Sequence, residues 1–230
     1  MFGLENIRKD LKAIIFDLDG TLLNTLDDIA DSMNCVLEEN GFPIHAVEKY
    51  KYFVGDGITA LVKRAIPVEN RDGNTLRSLE IRMREIYKVR WNLKTRPYEG
   101  IPELLNGLKD RGVPMSILSN KPDEYTQLTV QKYLGEWPFK VVLGSKSDLP
   151  KKPAPHGVLA ISQVLGVNPQ ECAYVGDMDI DMKTALAAGM NPIGVYWGFR
   201  TEEELIENGA LFVFERPEDI LYLFGKMEGE

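Results

Sequence analysis

Cysteine is nearly absent from this chain. Cys35 and Cys172 are the only two among 230 residues, far apart and in no metal-like spacing. That excludes a disulfide-stapled scaffold and a thiolate metal site, and both are expected to be reduced, buried thiols of a cytoplasmic protein. Histidine is as scarce, and the lone His45 and His156 are not expected to be catalytic. No apolar run approaches the length of a membrane span. The opening "MFGLENIRKDLK" lacks the apolar block of a signal peptide. No repeat or low-complexity tract interrupts the chain. Nor is there an excess of positive charge: the net charge of −8 argues against non-specific nucleic-acid binding.

What is present is ordinary in bulk and uneven in detail. A hydrophobic fraction of 44% and a charged fraction of 27% are those of a soluble globular protein. The length suits one larger domain or two smaller ones. Residues 24–95 hold 11 Lys/Arg and 11 Asp/Glu, so the whole negative balance falls on the remainder. This asymmetry is a first sign of two parts.

Short β-rich apolar runs recur at Ala13–Phe16, Met115–Leu118, Val141–Leu143, Ala173–Val175, Pro192–Trp197 and, more weakly, Leu211–Phe214. Helical patterns fall between most of them, at Pro102–Arg111, Asp123–Tyr133, Pro155–Leu165, Ile180–Ala188 and Thr201–Asn208. Strands alternating with helices predict βα units and a parallel sheet. Gly112, Gly166, Gly189 and Gly209 stand where helix C-caps belong. Residues 24–95 break the rhythm. Leu26, Ile29, Ala30, Met33, Val36 and Leu37 make one apolar helix face, with Asn24 or Thr25 as the cap. Further helices are expected over Val47–Phe53, Ile58–Ala65 and Thr75–Trp91, with no convincing strand. The expectation is an α/β core of residues 1–23 and 97–230, with a helical cap, 24–96, inserted after the first strand. An insertion there would sit over the crevice at which open α/β sheets bind ligands.

Four stretches at strand C-terminal ends carry the chemistry. In "IIFDLDGT", Asp17 and Asp19 leave the first strand on the same side, and two such carboxylates stay ionised cheaply only beside a cation. In "ILSNK", Ser119 and Asn120 offer hydrogen-bond donors to phosphate oxygens. In "PKKPAP", prolines stiffen a loop around Lys152, whose ammonium can neutralise a carboxylate and a phosphate together. In "YVGDMDIDM", Asp177, Asp179 and Asp181 follow a strand and a glycine, a set of hard oxygen donors of the kind Mg²⁺ takes. Each has an ordinary structural reading on its own, as an acidic turn, a capped turn, a solvated basic loop or an acidic first helical turn. It is their conjunction on one side of one sheet that argues for a site.

The ordered set "DLDGT", "LSN", "KKPAP" and "GDMDID" resembles the haloacid dehalogenase-like superfamily of aspartyl phosphohydrolases, over essentially the whole chain. The stretches "YEGIPELLNGLKDRG", "KKPAPHGVLAISQVLGV" and "GVYWGFRTEEELIENGA" resemble its phosphoglycolate phosphatase branch. The resemblance implies a Rossmann-like parallel sheet with helices on both faces plus a helical cap. It implies Mg²⁺-dependent hydrolysis of a small phosphorylated metabolite, with 2-phosphoglycolate the leading candidate. In the implied roles, Asp17 is the nucleophile and Asp19 the acid/base, its backbone carbonyl also reaching the metal. Ser119 and Asn120 bind phosphate, and Lys152 bridges Asp17 and the phosphoryl group. Asp177 is the metal ligand and Asp181 its acidic partner, with Asp179 the competing choice. Thr21 steadies the first loop. In the cap, Gly55, Asp56 and Gly57 form a loop of the kind that selects the leaving group, and Lys63 or Arg64 is placed to bind a substrate carboxylate.

A β-phosphoglucomutase-like mutase or an inorganic pyrophosphatase of the same superfamily is the nearest alternative. Asp19 disfavours a dehalogenase, and the length disfavours a P-type ATPase. A non-catalytic phosphometabolite sensor is the alternative of another class. No nucleic acid or membrane partner is expected, and monomer and homodimer stay open.

Overall fold

The computed structural model describes residues 11–225. It falls into two compact units, one comprising the chain up to Leu22 and from Pro97 onward, the other Leu23–Arg96. The second unit starts one residue before the expected insertion of 24–96.

The first unit is built on β1 (Ala13–Phe16), a run of four fully buried residues. After the insertion come α4 (Ile101–Asp110), β4 (Met115–Pro122), α5 (Asp123–Leu134), β5 (Phe139–Ser145), α6 (His156–Leu165), β6 (Cys172–Gly176), α7 (Asp179–Ala188), β7 (Asn191–Val195), α8 (Glu202–Glu207) and β8 (Phe212–Phe214). The sheet order is β5-β4-β1-β6-β7-β8, with every pairing parallel. β1 therefore sits between β4 and β6, where the chain's progress reverses direction. Loops leaving β1, β4 and β6 diverge there and open a crevice at the strands' C-terminal ends.

Burial along β1 shows why both sheet faces need helices. Ala13 and Ile15 join a core with Val158 and Ile161 of α6, Ala185 and Ala188 of α7, and Tyr174 of β6. Ile14 and Phe16 point to the opposite face by the two-residue alternation of a strand and are equally buried. A strand apolar on both sides is stable only between two helical layers. The glycines expected as C-caps do that work: Gly112, Gly166, Gly189 and Gly209 all have positive φ.

The second unit is helical. It holds α1 (Leu26–Glu39), a 3₁₀ turn at Val47–Tyr52, α2 (Ile58–Ala65) and α3 (Gly73–Arg90). The apolar stripe of α1 is buried as its spacing predicts, from Leu26 to Leu37. Two details depart from expectation. The segment at 47–53 tightens to 3₁₀ geometry, with His45, Tyr50 and Phe53 stacking edge to face and Asn34 accepting from Tyr50 Oη at 2.6 Å. The insertion also begins with strand: β2 (Leu23–Asn24) pairs with β3 (Arg96–Pro97) in a two-residue ribbon. Thr25 is the cap residue of α1, but its hydroxyl makes no capping bond, and Asn24 Oδ1 instead accepts from Leu26 N at 3.4 Å. Cys35 is only half-buried; both thiols are free. Among the described residues, no helix is long and apolar enough to cross a membrane.

Candidate active site

Three of the predicted acids converge. Asp17, Asp177 and Asp181 each offer a carboxylate oxygen, and these oxygens lie within 4.8 Å of one another. All three side chains are buried. Asp17 follows β1 directly, its backbone held by an N–H donated to Val175 O at 2.8 Å. Asp177 follows β6. Asp181 occupies the first turn of α7, where its Oδ2 accepts from Met178 N at 3.1 Å and so caps the helix. Asp179 turns away to pair with Lys183 Nζ at 2.6 Å, so it is Asp181 that joins the cluster.

One ammonium lies among these carboxylates. Lys152 Nζ is 2.7 Å from Asp181 Oδ1 and 2.9 Å from Asp17 Oδ1. The Asp17 contact is an ion pair without an aligned hydrogen bond, which leaves Asp17 Oδ1 a buried acceptor lacking a directed donor. The other acids are better served. Asp177 accepts from Thr21 Oγ1 at 2.8 Å and from Phe199 N at 2.9 Å. Asp181 Oδ1 also faces the Tyr174 hydroxyl at 3.3 Å.

The electrostatics follow from this arrangement. Burial pushes Asp17 up to about 7, against the pull of Lys152 and with the help of Asp181 and Asp19. Burial, then Asp17 and Asp181, lifts Asp177 well above the usual carboxylate range. Burial alone would lower Lys152, but the two acids outweigh it and hold the ammonium well above its ordinary value. Three buried carboxylates against one lysine are short of positive charge, and hard oxygen donors with an underused acceptor among them fit a hard cation.

Space is as tightly set as charge. A Cβ on Gly20, whose φ is +92°, would lie 2.3 Å from Asp177 Oδ2. One on Gly176 would meet Asp181 Cβ at 2.3 Å, and one on Gly198 would meet Asp177 Cβ at 2.2 Å. The backbone closes on the two acids from three sides, and only glycine permits it.

The other predicted residues divide. Between Leu118 and Pro122, β4 spends four residues against two on β5, from Leu143 to Ser145. Such a bulge re-aims side chains at the end of a sheet. Ser119 is buried there, its Oγ accepting from Lys121 N at 3.2 Å. Asn120 clamps the Lys152 backbone, accepting from Lys152 N at 2.9 Å and donating to Lys152 O at 3.2 Å. Asp19 is absent from the acid cluster; both its oxygens face Lys121 Nζ, at 2.9 and 3.2 Å. Gly55 and Gly57 have positive φ, and Asp56 pairs with Arg64, which also donates to Phe53 O at 3.1 Å. Arg64 therefore braces its own loop within the helical unit.

Sequence reasoning missed Lys121, Gly198 and the clamp by Asn120. Lys121 stood in the quoted "ILSNK" but carried no role. Gly198 gave no local signal beyond being a loop glycine after β7.

Comparison with known proteins agrees with this geometry. Residues 14–195 match the model of the haloacid dehalogenase-like hydrolases. The chain belongs to that family. The phosphoglycolate phosphatase of Pseudomonas putida is 32% identical over 82% of this chain and 70% of its own length. That of Aquifex aeolicus is 29% identical over 93% and 96%. A crystal structure of a candidate phosphoglycolate phosphatase from Lactobacillus delbrueckii subsp. bulgaricus superposes with a TM-score of 0.88, at 32% identity over 94% of this chain and all of that one. Within the haloacid dehalogenase-like hydrolases the chain falls in the phosphoglycolate phosphatase-like branch, and its intact acidic cluster is that of a phosphatase.

Proposed function

We propose that this hydrolase cleaves a small phosphomonoester, with 2-phosphoglycolate the leading candidate, using Mg²⁺ and an aspartyl-phosphate on Asp17. The observation that carries the reading is Asp17 itself, a buried carboxylate held between Lys152 and two further acids. Asp17, Asp177 and, through its backbone, Asp19 would hold the ion, with Asp181 beside it. Bound there, Mg²⁺ neutralises charge on the phosphoryl oxygens.

The residues of the chain do the rest. An Asp17 oxygen attacks phosphorus, forming an O–P bond as the ester P–O bond breaks. The departing alkoxide takes a proton from the carboxyl group of Asp19. Asp19 then takes a proton from water as that water attacks phosphorus and the Asp17 O–P bond breaks, releasing phosphate and restoring both acids. Lys152 screens the approach of one anion to another. Ser119 and the backbone around Asn120 steady the phosphoryl group, Thr21 holds Asp177, and the Gly55-Asp56-Gly57 loop of the inserted unit helps choose the alcohol.

The test is a panel of phosphate esters assayed with Mg²⁺ and scored by kcat/KM. Phosphate release, fastest with 2-phosphoglycolate, is the expected result. A different best ester overturns the substrate. Retention of phosphate on a second sugar hydroxyl points to a mutase, and no turnover of any ester or of pyrophosphate to a sensor.

A further inference from the structure

The role of Asp19 raises a question of aim. A carboxyl that must give a proton to one oxygen and later take one from another has to be fixed in direction, yet Asp19 is absent from the acid cluster and its side chain is 19% exposed. What it meets is Lys121. That ammonium is nearly sealed, its side chain 4% exposed. Burying an ammonium is costly unless a partner offsets it. Its main chain is tied down at both ends as well. Lys121 N donates to Ser119 Oγ at 3.2 Å, and Lys121 O accepts from Thr126 Oγ1, a fully buried hydroxyl at the start of α5, at 3.1 Å. The bulge that ends β4 puts Lys121 at this point, so the side chain runs as a strut from β4 to the loop after β1.

We propose that Lys121 is a positioning residue for the reaction, acting through Asp19: its fixed ammonium orients the Asp19 carboxyl toward the departing and the attacking oxygen. The inference rests on the reading of Asp19 as acid/base given above. The two Lys121–Asp19 distances, 2.9 and 3.2 Å, show the carboxylate held end-on at one cation. A group anchored at such a point loses most of its freedom to swing, which is what proton transfer in a fixed direction needs. In the proposed state one oxygen stays on Lys121 and the other carries the proton to the leaving group. Lys152 does not serve here, because its ammonium is engaged by Asp17 and Asp181.

The experiment is a double-mutant cycle with Asp19→Asn, Lys121→Met and the pair together. kcat/KM is read on an alkyl phosphate and on p-nitrophenyl phosphate. That ratio reports only the steps through release of the first product, so later hydrolysis of the aspartyl-phosphate does not enter. Nitrophenolate leaves with little help from an acid, whereas an alkoxide needs it. Lys121→Met is expected to lower kcat/KM on the alkyl ester roughly 100-fold and on the nitrophenyl ester only about 5-fold. Lys121→Arg should recover part of the loss. The double variant should be no worse on the alkyl ester than Asp19→Asn alone, since a strut has no effect once its load is gone. Additive losses in the double variant, or equal losses on the two esters for Lys121→Met when Asp19→Asn discriminates between them, overturn the proposal. If Asp19→Asn itself fails to discriminate, it is the acid/base role of Asp19 that falls. Should Lys121→Met not fold, the double variant, which leaves no unpaired charge, and Lys121→Arg still decide the matter.

Discussion

Both units of this protein bury carboxylates, and they do so to opposite ends. In the helical unit, Asp28 is 1% exposed. Its oxygens accept from Lys94 N at 2.9 and 3.1 Å, from Thr95 N at 2.8 Å and from Thr95 Oγ1 at 2.7 Å. Every donor is neutral and fixed. This carboxylate is fully served, and it pins the end of the insertion to its first helix. In the sheet unit, Asp17 is buried almost as deeply, but the ammonium that meets its Oδ1, Lys152 at 2.9 Å, is shared with Asp181, and it has two more acids as neighbours. Burial alone does not separate a structural acid from a chemical one. Company does: Asp28 meets only neutral donors, whereas Asp17 shares one ammonium with two further buried acids, an excess of negative charge that a cation would relieve.

The sharpest way to break this contrast is to exchange each acid for a neutral side chain. Asp17→Asn should lower kcat by at least about 1000-fold, since an amide is a poor nucleophile. Its thermal stability should not fall, since the substitution removes a desolvated charge. Asp28→Ala should do the reverse. It strands backbone donors in the interior and should cost roughly 3 kcal/mol in denaturant unfolding, with activity per folded molecule largely kept. A collapsed Asp17→Asn, or an Asp28→Ala that is stable but dead, would reverse the assignment.

Next in size is the metal dependence. Asp177→Ala should raise the Mg²⁺ needed for half-maximal activity by more than about 10-fold, and Gly198→Ala, by crowding the same carboxylate, should raise it about 10-fold. Asp179→Ala should leave it unchanged, because that side chain pairs with Lys183. Titrations of activity with Mg²⁺ check all three, and a larger effect at Asp179 would refute the cluster as the ion's site.

A smaller effect is set by pH. Asp17 rests at about 7 in the fold against an ordinary 3.8, so its contribution to stability is present below the lower value and is lost as pH rises through the upper one. Asp177 is shifted in the same direction. The metal-free protein thus carries most repulsion on the alkaline side, where a cation relieves it. Melting curves should show Mg²⁺ raising Tm more near pH 8 than near pH 5.5. An equal rise at both would mean the cluster stays ionised without the ion.

The smallest expected effect is in the inserted unit. Asp56→Ala frees Arg64 from its partner, and Gly57→Pro forces out a backbone held at φ +89°. Each should change the ratio of kcat/KM between two esters a few-fold, with the Mg²⁺ requirement unmoved. Equal losses on every ester would reduce the loop to a structural part.

Legibility in the sequence tracked the range of the interaction. β1, β4, β6 and their flanking helices could be read because buried parallel strands are local apolar runs and the glycines after the helices are local signals. Asp17, Lys152, Asp177 and Asp181 could be read because each stands beside a strand end or a stiff loop in a recognisable order. Lys121 could not, because its partner lies 102 positions away and its aim depends on a bulge that no residue type announces. Gly198 was hidden likewise, since its need for glycine arises only where Asp177 comes against it. The chemistry of Asn120 suits a phosphate donor. In the fold its amide holds the backbone of Lys152. Asp28 stands in the first turn of α1, where an acid is ordinary, and only the return of the chain at Thr95 makes it a clasp.

The small ribbon of β2 and β3 bears on how such a chain can change over time. Leu22 O accepts from Tyr98 N at 3.2 Å in the sheet unit, and the next residues on either side pair as strands at the foot of the helical one. Seventy-four residues, Leu23–Arg96, thus depart and return through neighbouring positions, about one strand spacing apart. In topological terms the whole insertion is a single oversized hairpin loop. A loop whose ends already touch can be shortened, lengthened or replaced with little entropic penalty and no shift in the register of the strands that bear it. Variation of the insertion can therefore stay within one contiguous stretch of gene, while the acids of the sheet unit and the lysines that serve them are inherited untouched.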